Sequence, residues 1–208
     1  NGKEKIRFWD IGSNIGIYSI YAALKFENIE VVSFEPSTSN LRLLTRNISI
    51  NNLEEKIKIN QFPLSNVDNK YLIFKEGKFM EGVAQHTWGE NYDFQGKNFD
   101  SPNKYKIYGT SINYLLENKI LEIPDYIKID VDGIEHLILK GASNFLHDPK
   151  IKSISVELNE NFKDQIENVF KIMEESKFKF KIKKRNENFD YYKKPELKNI
   201  FNFIFEKK

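Results

Sequence analysis

The sequence predicts an α/β domain, a mostly parallel β-sheet with helices on both faces. Strand-like apolar runs alternate with amphipathic helical runs up to about residue 62 and again from residue 126. The first strand enters a glycine turn, Asp10-Ile-Gly-Ser-Asn-Ile-Gly16, that opens a helix. The last two apolar runs lie near enough in the chain to pair antiparallel.

The elements follow in order. Residues 5–11 predict a strand, and 15–26 a helix with Ile17, Ile20, Tyr21 and Leu24 on one face. Residues 30–35 are a second strand, ended by Pro36. Ser37 or Ser39 caps a helix running to about Asn51, with Leu41, Leu44 and Ile48 as its apolar stripe. Residues 57–62 form a third strand, and 66–76 a small hairpin around Tyr71 and Ile73. Residues 77–105 lose periodicity and collect Phe79, His86, Trp88, Tyr92, Phe94, Phe99 and Tyr105, the composition of a functional loop or a disordered insertion. A short strand and helix follow at 106–119. Strands at 126–131 and 151–158 flank a helix at 134–146. An amphipathic helix at 161–177 carries Ile166, Val169, Phe170 and Met173. Phe178, Phe180 and Ile182 alternate with lysines as a half-buried strand, and 200–206 form a last strand that pairs with it across the polar loop 184–198.

Length and composition bound the function. The 208 residues suit one domain, 1–208, with chain enough for a sizeable core. With 40% apolar and 14% aromatic residues, the composition is that of a folded protein. Thirty-two basic residues against 30 acidic leave a net charge of +2, too balanced to make nucleic acid the expected partner. There is no cysteine, which excludes disulfides and thiolate chemistry. No apolar run reaches membrane-span length and no signal peptide is visible, so a cytoplasmic location is expected. The chain starts at Asn1, not Met, and a leading segment is expected before it.

The glycine turn carries the most chemistry. Glycines let a backbone approach a ligand, and the helix N-terminus after them offers free N–H groups. The dinucleotide pattern G-x-G-x-x-G needs its middle glycine to admit a pyrophosphate. Here Asn14 stands in that position, which favours a nucleoside cofactor without a diphosphate. Asp10, at the strand end, suits a cofactor with a positive amino group. Glu35 ends the second strand about 20 residues on, where a carboxylate can accept two ribose hydroxyls. The pattern selects S-adenosylmethionine over NAD, with Asp10, Gly12, Ser13, Asn14, Gly16, Glu35, Pro36 and Asp130 as cofactor-binding residues.

The same turn, Phe34-Glu35-Pro36, the helix ending Arg46-Asn47-Ile48, the segment Ile127-Lys-Ile-Asp-Val-Asp-Gly133 with Glu135, and Leu139-Lys-Gly141-Ala142 resemble the FkbM family of methyltransferases over roughly residues 8–160. The family's usual segment is K-I-D-V-E-G, so Asp132 replaces a glutamate. The resemblance implies a class I, Rossmann-like, seven-stranded sheet with an antiparallel C-terminal strand. It also implies O-methylation of sugars or other metabolites by S-adenosylmethionine. An RNA methyltransferase and a non-catalytic module that binds the same cofactor are the alternatives.

An alcohol acceptor must lose its proton, to a base or beside a metal. Lys128, Asp130 and Asp132 share strand parity, and Asp130 is the expected catalytic residue, with Lys128 as a possible buried partner. Asp132 and Glu135 also fit a capping box. His136 after the helix start and His86 in the aromatic segment are further catalytic candidates. Asp130, Glu157 and Asn159 are the candidate oxygen ligands for Mg²⁺. The segment 77–105 is expected to form an acceptor-site loop or lid, with a small molecule or glycan as partner.

Overall fold

The computed structural model describes residues 4–185, 195 and 197–207. Its main sheet has seven strands in the order β3-β2-β1-β7-β8-β10-β9. These are β1 (Ile6–Ile11), β2 (Ile29–Phe34), β3 (Ile57–Asn60), β7 (Tyr126–Ile129), β8 (Ser153–Asn159), β9 (Phe178–Lys184) and β10 (Ile200–Lys207). Five of them pair in parallel from β3 through β8, and β10 runs antiparallel between β8 and β9. The expected C-terminal antiparallel strand is therefore present. The connection expected at 184–198 lies mostly outside the described residues.

Strand alternation sends side chains to two cores. Ile29 and Val31 join Ala23 of α1 (Ile17–Lys25) and Leu41, Leu44 and Ile48 of α2 (Thr38–Ile50) on one face. Trp9, Ile11, Val32 and Phe34 face the other, with residues of α3 (Ile112–Glu117), α4 (Glu135–Lys140) and α5 (Lys163–Glu175). Ser37 caps α2 by accepting from Asn40 N–H, and Val169 and Met173 are buried on α5, as the sequence predicts.

Four expectations change. The region around 66–105 is neither a hairpin at 66–76 nor a structureless loop. It is a second antiparallel sheet in which β4 (Lys70–Glu76) lies between β5 (His86–Trp88) and β6 (Asn103–Gly109). Buried Phe74 and Trp88 tie this sheet to the main core, and Trp88 Nε1 donates to Ile107 O at 3.3 Å. Next, α1 sits on the sheet by its small residues, Ser19 and Ala23. Of the apolar face expected to be its core side, Ile20 packs on the core, but Ile17, Tyr21 and Leu24 are turned outward, 66%, 64% and 61% exposed. The helix expected at 134–146 is only α4, followed by turns to residue 147. On the edge strand β9, Phe178 is buried but Phe180 and Ile182 are exposed.

Candidate functional site

The C-terminal ends of β1, β2, β7 and β8 open into one cavity of about 800 Å³, within the range of small-molecule sites. The β1–α1 turn is folded by its own backbone. Gly12 N–H and Ser13 N–H both donate to Phe34 O at 3.0 Å, and Gly16 N–H donates to Ser13 O at 2.8 Å. Asn14 takes a left-handed backbone, φ 51, and its N–H donates to Glu35 Oε2 at 2.7 Å. Ser37 N–H donates to Glu35 Oε1 at 2.9 Å. Burial pushes the Glu35 carboxyl up to about 7, against these hydrogen bonds. Gly12, Ser13, Asn14, Glu35 and Pro36 line the cavity, and no side chain caps α1.

Some of the expected cofactor residues also serve the fold. Asp10 has no exposed surface; its Oδ2 accepts from Ser19 Oγ at 2.6 Å, and Oδ1 lies 3.3 Å from Lys128 Nζ. The buried Ser13 hydroxyl donates to Asp10 O at 2.8 Å. The glycines clear neighbouring chain. A Cβ at Gly12 would lie 1.8 Å from Asp130 O, and one at Gly16 would lie 2.5 Å from Leu44 Cδ1.

The opposite end of the cavity is acidic. Lys128 Nζ sits 3.1 Å from Asp130 Oδ2, donates to Gly12 O at 3.3 Å, and lies 4.7 Å from the centre of the Tyr18 ring. Burial alone would lower the lysine's pKa, but Asp130 and Asp10 outweigh it and hold it raised, so the ammonium stays charged. Glu157 lies beside Asp130, and burial together with that neighbour's charge raises its carboxyl well above the usual range. Burial and Asp130 raise Asp132 as well. Three carboxyl groups thus face the cavity with one lysine among them. That donor set suits a cationic ligand, and the carboxylate at the end of β2 suits a ribose, so the residues fit S-adenosylmethionine.

The remaining candidates separate. Asp132 does not cap α4: the residue before that helix is Ile134, and Glu135 accepts from Val131 and Gly133 N–H at 3.1 Å. Asp132 instead accepts from Gln85 N–H at 2.7 Å and His86 N–H at 3.3 Å. His86 lines the cavity, with Nε2 3.0 Å from Val83 O. His136 packs its ring against Phe162, and burial lowers its pKa. It does not line the cavity, which removes it from the catalytic candidates. The Mg²⁺ expectation gains no support. Asn159 Oδ1 accepts from Asn161 N–H at 3.0 Å, the Lys128 ammonium already neighbours Asp130, and among the described residues no three His, Cys, Asp or Glu side chains converge as a metal site.

Three contributors are absent from the sequence reading. Tyr18 covers Lys128. Asn40, buried on α2, bonds a segment of the cavity wall. Gln165 donates to Gly133 O at 2.6 Å and Glu135 Oε2 at 2.5 Å. A polar residue on the buried face of an amphipathic helix is the signal that marks Asn40 and Gln165.

Known proteins resemble the chain in sequence and in fold. The chain is 27% identical to methyltransferase sdnD of Sordaria araneosa, over 71% of this chain and 64% of that protein. It is 23% identical to hexuronic acid methyltransferase AglP of Haloferax volcanii, over 88% of this chain and 67% of that protein. The chain thus spans about two thirds of the length of these relatives. Among solved structures it superposes on precorrin-6y C5,15-methyltransferase from Geobacter metallireducens with a TM-score of 0.54 at 13% identity, covering 100% of this chain and 82% of that one. TrmK of M. capricolum, in complex with S-adenosyl-homocysteine, gives 0.54 at 12%, covering 99% and 64%. The fold is that of the class I S-adenosylmethionine-dependent methyltransferases. Residues 10–182 match the methyltransferase FkbM domain, and the chain belongs to that family.

Proposed function

We propose that this domain transfers a methyl group from S-adenosylmethionine to a hydroxyl of a sugar, glycan or other small metabolite. The observation that carries the reading is the Lys128–Asp130 ion pair at 3.1 Å in the cavity, with Glu157 beside it and the Tyr18 ring over Lys128. When bound, S-adenosylmethionine supplies a methyl group activated by its sulfonium charge. The turn from Gly12 to Asn14, with Glu35 and Pro36, would hold the nucleoside end, and the acidic end of the cavity would face the positive charge. The acceptor hydroxyl gives its proton to Asp130, whose carboxylate Lys128 keeps oriented. Glu157, beside Asp130, keeps its own proton. Alignment of acceptor and donor in one cavity supplies much of the rate, up to about 7–11 kcal/mol of barrier. A hexuronic acid methyltransferase among the relatives supports a sugar acceptor.

Calorimetry against S-adenosylmethionine and NAD tests the cofactor. Transfer of labelled methyl to nucleotide sugars, uronic-acid glycans and RNA, with and without EDTA, tests the acceptor. The expected result is binding of S-adenosylmethionine alone, label in the carbohydrate, and a loss of about 10²–10⁴-fold in turnover for Asp130→Ala. Full turnover by that variant would remove Asp130 as the base. Salt-dependent labelling of RNA would replace the carbohydrate reading.

A further inference from the structure

Between β4 and β5 the chain runs along the wall of the cavity as a strap, residues 80–86, and the strap is fastened on both sides. On the α2 side, Asn40 bonds it reciprocally. Asn40 Oδ1 accepts from Gly82 N–H at 2.8 Å, and Asn40 Nδ2 donates to Val83 O at 3.1 Å. Asn14, in the cofactor turn, directs its Nδ2 to the same carbonyl at 3.4 Å. On the far side, Asp132 accepts from the N–H groups of Gln85 and His86. The strap therefore runs from the turn assigned to the nucleoside to the acidic end of the cavity. Its residues Gly82, Val83, Ala84 and Gln85 form part of the cavity wall.

We infer that this strap gates the cofactor and that Asp132 is its latch, a positioning residue that acts through the strap. The inference rests on the S-adenosylmethionine reading above. Asp132 and Gln85 both hold left-handed backbone, φ 64 and φ 74, which costs free energy at non-glycine residues and persists where surrounding bonds over-determine it. Here the bonds are those between these two residues. The Asp132 carboxylate binds backbone N–H groups, so the latch depends on the carboxylate and not on which side chains the strap carries. With the strap fastened, the cavity is walled at its cofactor end. Release of Asp132 and Asn40 frees the strap between Gly77 and the start of β5.

The test uses two independent readouts. Lys78, exposed just before the strap, is a trypsin site, and its cleavage in cofactor-free protein reports strap opening alone. Stopped-flow release of S-adenosylhomocysteine reports gating. Asp132→Asn keeps a residue that tolerates left-handed backbone while weakening the charge-assisted bonds. Asp132→Gly also suits that backbone and deletes the carboxylate. Both are expected to speed cleavage at Lys78 and product release, by about tenfold for the glycine variant, with native circular dichroism retained.

The chain has no cysteine, so Arg42→Cys with Glu81→Cys, replacing an ion pair of 3.3 Å between α2 and the strap, gives a selective cross-linking site. Closing it with a short bis-maleimide should slow release of the ligand at least tenfold. Unchanged cleavage and release in the Asp132 variants, or unchanged release after cross-linking, overturns the gate. Failure of the unmodified protein to bind S-adenosylhomocysteine overturns the cofactor reading instead, and the cleavage assay still reads the latch.

Discussion

At Lys128 a single ammonium meets two carboxylates, Asp10 at 3.3 Å and Asp130 at 3.1 Å. Asp10 has no route to water, so removing the lysine leaves a buried charge without its partner. Lys128→Met should therefore cost about 3–5 kcal/mol in urea denaturation, and Asp10→Asn in the same chain should recover part of that loss. A double-mutant cycle that finds the two changes additive would show that the pair is not coupled. Gly12 makes a second residue-scale case. Its φ of 78 and the 1.8 Å approach of Asp130 O leave no room for a methyl group. Gly12→Ala should cost about 2–6 kcal/mol, the sum of left-handed strain and overpacking, even without cofactor. A loss confined to cofactor affinity would return this glycine to the ligand-clearing role that its motif suggests.

At the scale of elements, α1 inverts the usual logic of an amphipathic helix. Ser19 and Ala23 seat it closely on the sheet with Ile20 beside them, and Ile17, Tyr21 and Leu24 face outward. Ala23→Leu should destabilise by about 1–3 kcal/mol through overpacking, whereas Leu24→Lys should stay within about 0.5 kcal/mol. Thermal denaturation separates the two, and a larger loss for Leu24→Lys would mean that its face is packed. The periodicity of α1 was legible but its orientation was not, because Ile17, Tyr21 and Leu24 give the same pattern whichever side they face. The glycine turn, Glu35 and Asp130 were legible because each is a short contiguous pattern at a strand end. The small sheet was not. Its strand β5 has 3 residues, too few to show an alternation, and pairs with a strand ten residues earlier. The segment holding the strap was legible as a loop or lid, but its fastening was not, since Asp132 is met there by backbone N–H groups, which every non-proline residue carries. Asp10 misled for a related reason: a motif gives spacing, but only the fold shows that its carboxylate turns inward to Lys128.

The whole molecule stores its acidity in the site, and that sets how it responds to pH. Burial raises Glu35 and Glu135 to about 7, and Asp132 and Glu157 are raised too. Below about pH 4.5 Glu35 and Glu135 are protonated in both folded and unfolded chains and contribute nothing to the difference. Between 4.5 and 7 these two hold protons in the folded chain that the unfolded chain has released, so stability falls as pH rises, and their loss is complete above 7. Glu35 and Glu135 would contribute about 2–4 kcal/mol each to that loss. Asp125 acts in the opposite sense at lower pH. Burial would raise it, but hydrogen bonds from Lys152 and from Arg7 N–H outweigh this and hold it lowered, so its stabilisation is lost in acid. The cofactor-free protein should therefore be most stable near pH 5, and Glu135→Gln should flatten the decline toward pH 8 in urea titrations. A cationic cofactor reverses the balance, because it favours the ionised carboxylates and binding then releases protons. S-adenosylmethionine affinity should rise between pH 5 and 7.5, and its stabilising thermal shift should be larger at pH 8 than at pH 5.5. Calorimetry in buffers of different ionisation enthalpy counts the protons released. An affinity independent of pH, with no proton release, would mean that these carboxylates do not face the cofactor's charge.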